Sequence, residues 1–178
     1  MFGWIGLGFA LIAARSAAPS QNGETMDLDA VDIRILRELQ ADASLSNVEL
    51  AKRVHLSPSP CLARVKALKA SGLVRSYVAL LDPKLLGLHL NVFISISLKQ
   101  QNRKALEAFE DRICARQEVM ECYLMTGDAD YLLRVVVPDM AALESFILEQ
   151  VSPIAQVEKI RSSFALKQVR YKTALPLG

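Results

Sequence analysis

Apolar side chains recur at Leu28, Val31, Ile35, Leu36 and Leu39. This is the three-to-four-residue spacing of one buried helix face, and it predicts a helix from about Asp29 to Gln40. Acids at its start suit the positive end of the helix dipole. A second start signal follows at Ser46-Asn47-Val48-Glu49, where Ser46 and Glu49 have the spacing of a capping box. The short helix it opens turns Leu50, Ala51 and Val54 inward. His55-Leu56 is read as a turn. Ser57-Pro58 opens a third helix, with Ser57 as N-cap and Pro58 where a missing N–H costs nothing. Gly72 closes it. On this third helix Cys61, Leu62, Val65 and Leu68 are placed on one face, with Ser59, Pro60 and Ala63 opposite and Arg64 and Lys66 beside them.

Beyond Gly72 the period shortens to two. Val74 to Leu80 reads as a strand leaving the first domain. Asp82-Pro83 and Gly87 mark turns. Leu90, Val92, Ile94, Ile96 and Leu98 alternate with mostly polar neighbours, as in a half-buried strand. Leu106, Phe109 and Ile113 mark a helix. Met120 to Met125 is a strand, Gly127-Asp128-Ala129-Asp130 a polar turn, and Tyr131 to Val137 the next strand. Pro138-Asp139 opens a helix with Leu143, Phe146 and Ile147 inward, and Ile160 to Val169 is a last strand. The order βαββαβ is the ferredoxin-like split motif. Its helices cover one sheet face, and a second copy of the sheet is the natural cover for the other. The predicted class is α+β: an N-terminal winged helix-turn-helix of three helices and a C-terminal ferredoxin-like domain. The boundaries read as 26–73 for the first domain, 74–89 for a connecting strand and linker, and 90–178 for the sensing and oligomerisation domain.

Composition adds little except in its distribution. The 178 residues are 52% apolar and 22% charged, with a formal charge of +2. That net charge is too small to argue for nucleic acid by itself. Locally the balance swings: five acids against two bases from Asp27 to Asp42, then six bases against one acid from Ser46 to Arg75. Such a stripe attracts a phosphate backbone. The three cysteines, Cys61, Cys114 and Cys122, have neither zinc nor redox spacing, and only His55 and His89 could join them. Reduced thiols in a cytoplasmic protein, without a metal site, is the expectation. Residues Phe2 to Ala14 form an apolar run of 13 residues with no Lys or Arg before it. The run is short for a membrane span and lacks the basic start of a secretion signal. Residues 1–25 are therefore read as a disordered or mis-assigned extension, with Met26 the working start, a secretion signal being the alternative.

Two places carry candidate chemistry. On the third helix, small residues allow close approach to a major groove, and a nearby Arg can fork onto guanine. Ser46, Asn47, Lys52, Arg53, Ser57, Ser59, Pro60, Ala63, Arg64 and Lys66 form the candidate surface for double-stranded DNA. Read without DNA, the same pattern is a helical hairpin with a solvated basic face. The second place is Leu124, Met125, Thr126, Gly127, Asp128, Asp130 and Tyr131. A glycine turn offers N–H groups to a carboxylate, and an aspartate offers charge to an ammonium, the two ends of an amino acid. Read without ligand, it is a β-turn whose Asp side chains cap their own backbone. The chain has no phosphate loop, no His beside a Ser or Cys nucleophile and no evident carboxylate pair, so neither catalysis nor a cofactor is expected.

From Asp27 onward the chain resembles the leucine-responsive regulators, the AsnC-type or feast/famine family. The carrying segments are Leu28-Asp29-Ala30-Val31-Asp32, Ser46 to Ala51, Leu56 to Cys61, and Gly127-Asp128 followed by Asp130-Tyr131-Leu132. Met120 to Met125, Arg161 to Tyr171 and Ala174 to Leu177 resemble a subgroup that includes activators of a branched-chain keto-acid dehydrogenase operon. The resemblance implies a transcription regulator that binds DNA, senses leucine or another branched-chain amino acid, and forms a homodimer that assembles to an octamer. It places ligand contacts around Met125 to Tyr131, at a contact between dimers, and implies no membrane association. Ser59 stands where Thr is more usual, and the hydroxyl is kept. The alternative function is an architectural DNA-bending protein without effector response.

Overall fold

Asp29 begins the first helix by accepting hydrogen bonds from the Val31 and Asp32 N–H groups at 2.8 Å each, and the Asp32 carboxylate reaches back to the Asp29 N–H. This computed structural model describes residues 27–177. The expectations for residues 1–25 and Met26 lie outside them. The described chain forms two units, one of residues up to Leu81 together with 168–177, the other of 82–167.

The first unit holds α1 (Ala30–Ala41), α2 (Asn47–Arg53) and α3 (Pro58–Ala70). Ser46 and Glu49 form the predicted capping box on α2. Ile35, Leu36, Leu50, Ala51, Val54, Cys61, Val65 and Leu68 make one buried cluster. Leu62 departs from the predicted face and is exposed. At 100° per residue it lies a full step from Cys61, toward the solvent side. His55 takes a left-handed φ of 59° in the turn between α2 and α3. Gly72, with φ 80°, follows the last residues of α3, where a Cβ is disfavoured.

Two strand expectations are corrected. Val74 to Leu80 is not a strand in the described chain. Val78, Leu80 and Leu81 are largely exposed, and the segment has no neighbouring strand to pair with, so its β-forming residues have no ladder. The last strand runs from Val157 to Phe164 rather than to Val169. Val92 pairs with Phe164 and the Ala165 N–H bonds to the Asn91 carbonyl, and since β1 begins at Leu90 no partner remains for a strand out to Val169. The tail 168–177 packs with the first unit. Gln40 exchanges two hydrogen bonds with the Leu175 backbone, at 2.6 and 3.2 Å, and Arg37 Nη2 donates to the Leu177 carbonyl. Leu177 packs against the three-helix core.

The second unit carries β1 (Leu90–Leu98), α4 (Arg103–Ile113), β2 (Val119–Leu124), β3 (Tyr131–Val137), α5 (Met140–Ser145, continued by a wider turn Phe146–Val151) and β4 (Val157–Phe164). The antiparallel sheet has the order β2-β3-β1-β4, as the βαββαβ pattern requires. Val92, Ile94, Ile96 and Leu98 of β1 and Tyr131, Leu133, Val135 and Val137 of β3 point to the helices, where Phe109, Ile113, Leu143 and Phe146 complete the core. Phe93 and Ser95 of β1 and Leu132, Arg134 and Val136 of β3 alternate to the opposite face and are only partly covered.

Candidate DNA-binding surface and effector site

The turn at His55 sets α3 against α2 in a helix-turn-helix, held by the Leu56 N–H on the Ala51 carbonyl and by Asn47 Nδ2 on the Pro58 carbonyl at 2.8 Å. Asn47 thus clips the start of α3 in place. Ser46 is committed to α2: its hydroxyl donates to Glu49 Oε2 at 2.7 Å. Ser57 occupies the N-cap position but makes no capping bond. One of the two usual donors is missing. A capping oxygen takes the N–H of the second or third helical residue, and the third is Pro60, which has none. Ser57 does not take the remaining Ser59 N–H either, and it lies exposed beside Ser59, Pro60 and Ala63, which are exposed too.

Cations around this tip differ in their engagement. Lys52 and Lys66 are exposed. Arg53 Nη1 lies 3.1 Å from Glu38. Arg64 Nη1 lies 2.6 Å from Asp29 and 2.8 Å from Asp32. The sequence places Arg64 as a free flank of the third helix. In the fold it joins α3 to the start of α1, because the acids that cap α1 lie within its reach. The carboxylate of Asp29 is held below its ordinary value, first by the Asp32 N–H and then by Arg64.

At the other candidate site, β2 and β3 are joined by a hairpin closed by the Met125 N–H on the Asp130 carbonyl at 2.8 Å. Gly127 has φ 130°, a conformation that favours glycine, although a Cβ there would meet nothing within 4 Å. Its requirement in this chain is the backbone angle, not the space. Leu124, Met125, Thr126, Gly127 and Asp128 are all exposed. Asp130 is not free: its carboxylate accepts from the Leu98 N–H at 2.6 Å and from Gln101 Nε2 at 2.7 Å, tying the start of β3 to the end of β1.

Tyr131 is a correction. Expected in the apolar wall of a ligand site, it is 1% exposed in the sheet core, its ring 4.6 Å from that of Phe109. Its hydroxyl donates to Glu110 at 2.7 Å, and burial together with that carboxylate pushes its ionisation upward. Strand alternation puts Tyr131 on the side of Leu133 and Val135, away from the turn.

Gly127, Asp128 and Asp130 come together in an open recess of about 480 Å³ with Ser97, Leu98, Gln101, Glu158 and Lys159. Sequence reasoning missed Ser97, Gln101, Glu158 and Lys159. Ser97 and Lys159 are register partners between β1 and β4, a relation across about sixty residues that no local pattern carries. The recess holds both signs of charge on a few side chains.

Residues 28–75 match the winged helix-turn-helix DNA-binding model, and residues 91–175 match the Lrp/AsnC ligand-binding domain. The chain is 44% identical over 151 residues to the Bkd operon transcriptional regulator of Pseudomonas aeruginosa, covering 85% of this chain and 99% of that one. It is 41% identical to the leucine-responsive regulatory protein of Escherichia coli, over 84% of this chain and 91% of the relative. Among solved structures it is similar to a transcriptional regulator of Neisseria meningitidis in complex with L-methionine, at 43% identity and a TM-score of 0.80, covering 84% and 96% of the two chains. An AsnC family regulator from Agrobacterium tumefaciens matches at 40% identity and a TM-score of 0.79, covering 84% and 97%.

Proposed function

The chain belongs to the Lrp/AsnC family of DNA-binding transcription regulators, not to an enzyme family, and from that premise we propose that it reads double-stranded DNA with α3 and responds to an apolar α-amino acid held at the 125–130 hairpin. The observation that carries the ligand half is the recess shared by Gly127, Asp128, Glu158 and Lys159. An α-amino acid presents one carboxylate and one ammonium. Lys159 and the N–H groups of the turn suit the first, and Asp128 and Glu158 suit the second. Asp130 supports the turn. Met125 and Leu124, exposed beside it, offer a surface to an aliphatic or thioether side chain. Leucine, another branched-chain amino acid or methionine fits this description, and the L-methionine complex of the Neisseria relative supports it.

In the DNA half, the Ser57 hydroxyl, Ser59 and Ala63 present small groups at the tip of α3. Lys66 and Lys52 take phosphates, and Arg64, whose Nη1 is held by Asp29 and Asp32, offers a base edge its remaining donors. The working protein is a cytoplasmic homodimer that assembles further, to an octamer. The second reading, an architectural DNA-bending protein, shares the DNA half and lacks the effector. Calorimetric titration of leucine, isoleucine, valine and methionine into the full chain separates them. One of these binds the wild type, and Asp128→Ala, still folded, loses that binding. An unchanged dissociation constant in the variant removes Asp128 from the site, and the absence of binding by all four leaves the architectural reading.

A further inference from the structure

Asn47 is the first residue of α2, and its place is set before its side chain acts. The Ser46 hydroxyl and backbone N–H both donate to the Glu49 carboxylate, at 2.7 and 3.1 Å, and the Glu49 N–H returns a bond to Ser46 at 3.2 Å. Leu50, Ala51 and Val54 anchor the same short helix in the core. From this fixed point Asn47 Nδ2 donates to the Pro58 carbonyl at 2.8 Å. A carbonyl oxygen has two lone pairs, so it takes this bond beside any that its own helix supplies. The receiving turn has little else to hold it. Pro58 and Pro60 have no N–H, and Ser57 makes no capping bond. The buried residues of α3 begin only at Cys61 and continue with Val65 and Leu68. The turn from Pro58 to Pro60 thus projects beyond the anchored part of the helix. It is also the part that a helix-turn-helix presents to base edges.

We propose that Asn47 is a positioning residue for base reading: through the Pro58 carbonyl it fixes the tilt of the first turn of α3, and it makes no bond of its own to DNA. This rests on the reading of α3 as the helix that enters the groove. Ser59 and Ala63 lie one turn apart on the exposed face of α3, so a change of tilt moves both together. A side chain that touches a base governs one base pair, whereas a clip on the helix governs every base pair that its face reads.

The test is selection of binding sites by the full chain from a pool of random double-stranded DNA, followed by affinity measurement on the selected duplex and on a random one. Asn47→Leu is similar in size but has no donor, and Asn47→Ala only shortens the side chain. In both, preference weakens at several base pairs together, and the ratio of the two affinities falls by about tenfold, within the usual cost of one mismatched pair. In the free protein both variants shift the NMR signals of the Ser59 amide and the Ala63 methyl. Loss of preference at a single base pair makes Asn47 a direct contact and overturns the proposal. Variants that are less stable in urea but select the same sequence with the same affinity ratio overturn it as well, as do unmoved Ser59 and Ala63 signals. Ala63→Gln tests the underlying reading separately. If it selects the wild-type sequence unchanged, α3 is not the reader, and the proposal falls with that reading even where the Asn47 variants shift the two signals.

Discussion

Arg64 carries two demands on one guanidinium. Its Nη1 is engaged by Asp29 and Asp32, while a bidentate guanine contact needs two donors on one edge of the group. The pair has its own signature. Because the Asp32 N–H is the first cause of the lowered Asp29 ionisation and Arg64 the next, Arg64→Ala raises the Asp29 midpoint seen by carboxyl NMR yet leaves it below the ordinary 3.8. A midpoint that does not move means that the ion pair is absent in solution. The sign for stability follows: a carboxylate depressed in the folded state stabilises above its unfolded value, and the contribution fades as pH falls through the folded one. The same variant costs on the order of 1–3 kcal/mol at the specific operator if Arg64 reads a base; equal loss on random DNA assigns it to the fold and phosphates alone. Tyr131 gives the opposite lesson. Tyr131→Phe leaves effector affinity unchanged and lowers stability by about 1 kcal/mol through the lost bond to Glu110. Tyr131→Ala costs about 3–5 kcal/mol, as for other large aromatic truncations in a core. Urea unfolding reads both, and a loss of effector affinity in Tyr131→Phe returns the residue to the ligand site.

Elements were legible in the sequence where the signal is local. The capping box at Ser46 and Glu49 and the alternation from Leu90 to Leu98 were read directly and stand in the fold. Ser46→Ala accordingly costs about 1 kcal/mol by urea unfolding, whereas Ser57→Ala, whose hydroxyl makes no capping bond, costs little stability and acts on DNA affinity. Comparable destabilisation by the two changes contradicts this distinction. Legibility fails where an element depends on distant chain. Val74 to Leu80 has strand-forming residues, but a strand exists only with a partner ladder. The tail reads as the end of a strand, yet Gln40, 135 positions earlier, takes both polar groups of the Leu175 backbone. Lys159 joins the candidate recess only through its register with Ser97. Removing the residues after Thr173 uncovers the edge of the three-helix core that Leu177 packs against. The expected result is a lower unfolding midpoint and faster amide exchange in α1, with exchange in β1 and β3 unchanged. Uniform acceleration through both units contradicts a tail confined to the first.

At the scale of the whole molecule, one helix-turn-helix reads only one half-site, and the sheet face opposite the helices remains open. Phe93, Leu132 and Val136 are partly covered there, with Arg134 neutralised by Glu121 at 2.7 Å. Glu121 also accepts from the Tyr123 hydroxyl at 2.8 Å. An apolar centre with its nearest charges, Arg134 and Glu121, paired to each other is suited to burial against a like surface, with the exposed Arg161, opposite Ser95 on β4, at its border. Leu132 lies between Ser95 on one side and Tyr123 on the other in the sheet register, so Leu132→Glu sets a charge in the middle of the face. Sedimentation shows the wild type as a dimer or larger and the variant as a monomer, with unchanged far-UV circular dichroism. DNA binding separates in step. Affinity for two half-sites about one helical turn, roughly 34 Å, apart falls in the variant. Affinity for an isolated half-site does not, because α3 is untouched. A variant that sediments like the wild type moves the interface off this face. A variant that is monomeric yet binds the double site as tightly as before means that the two recognition helices act without being joined through the sheet.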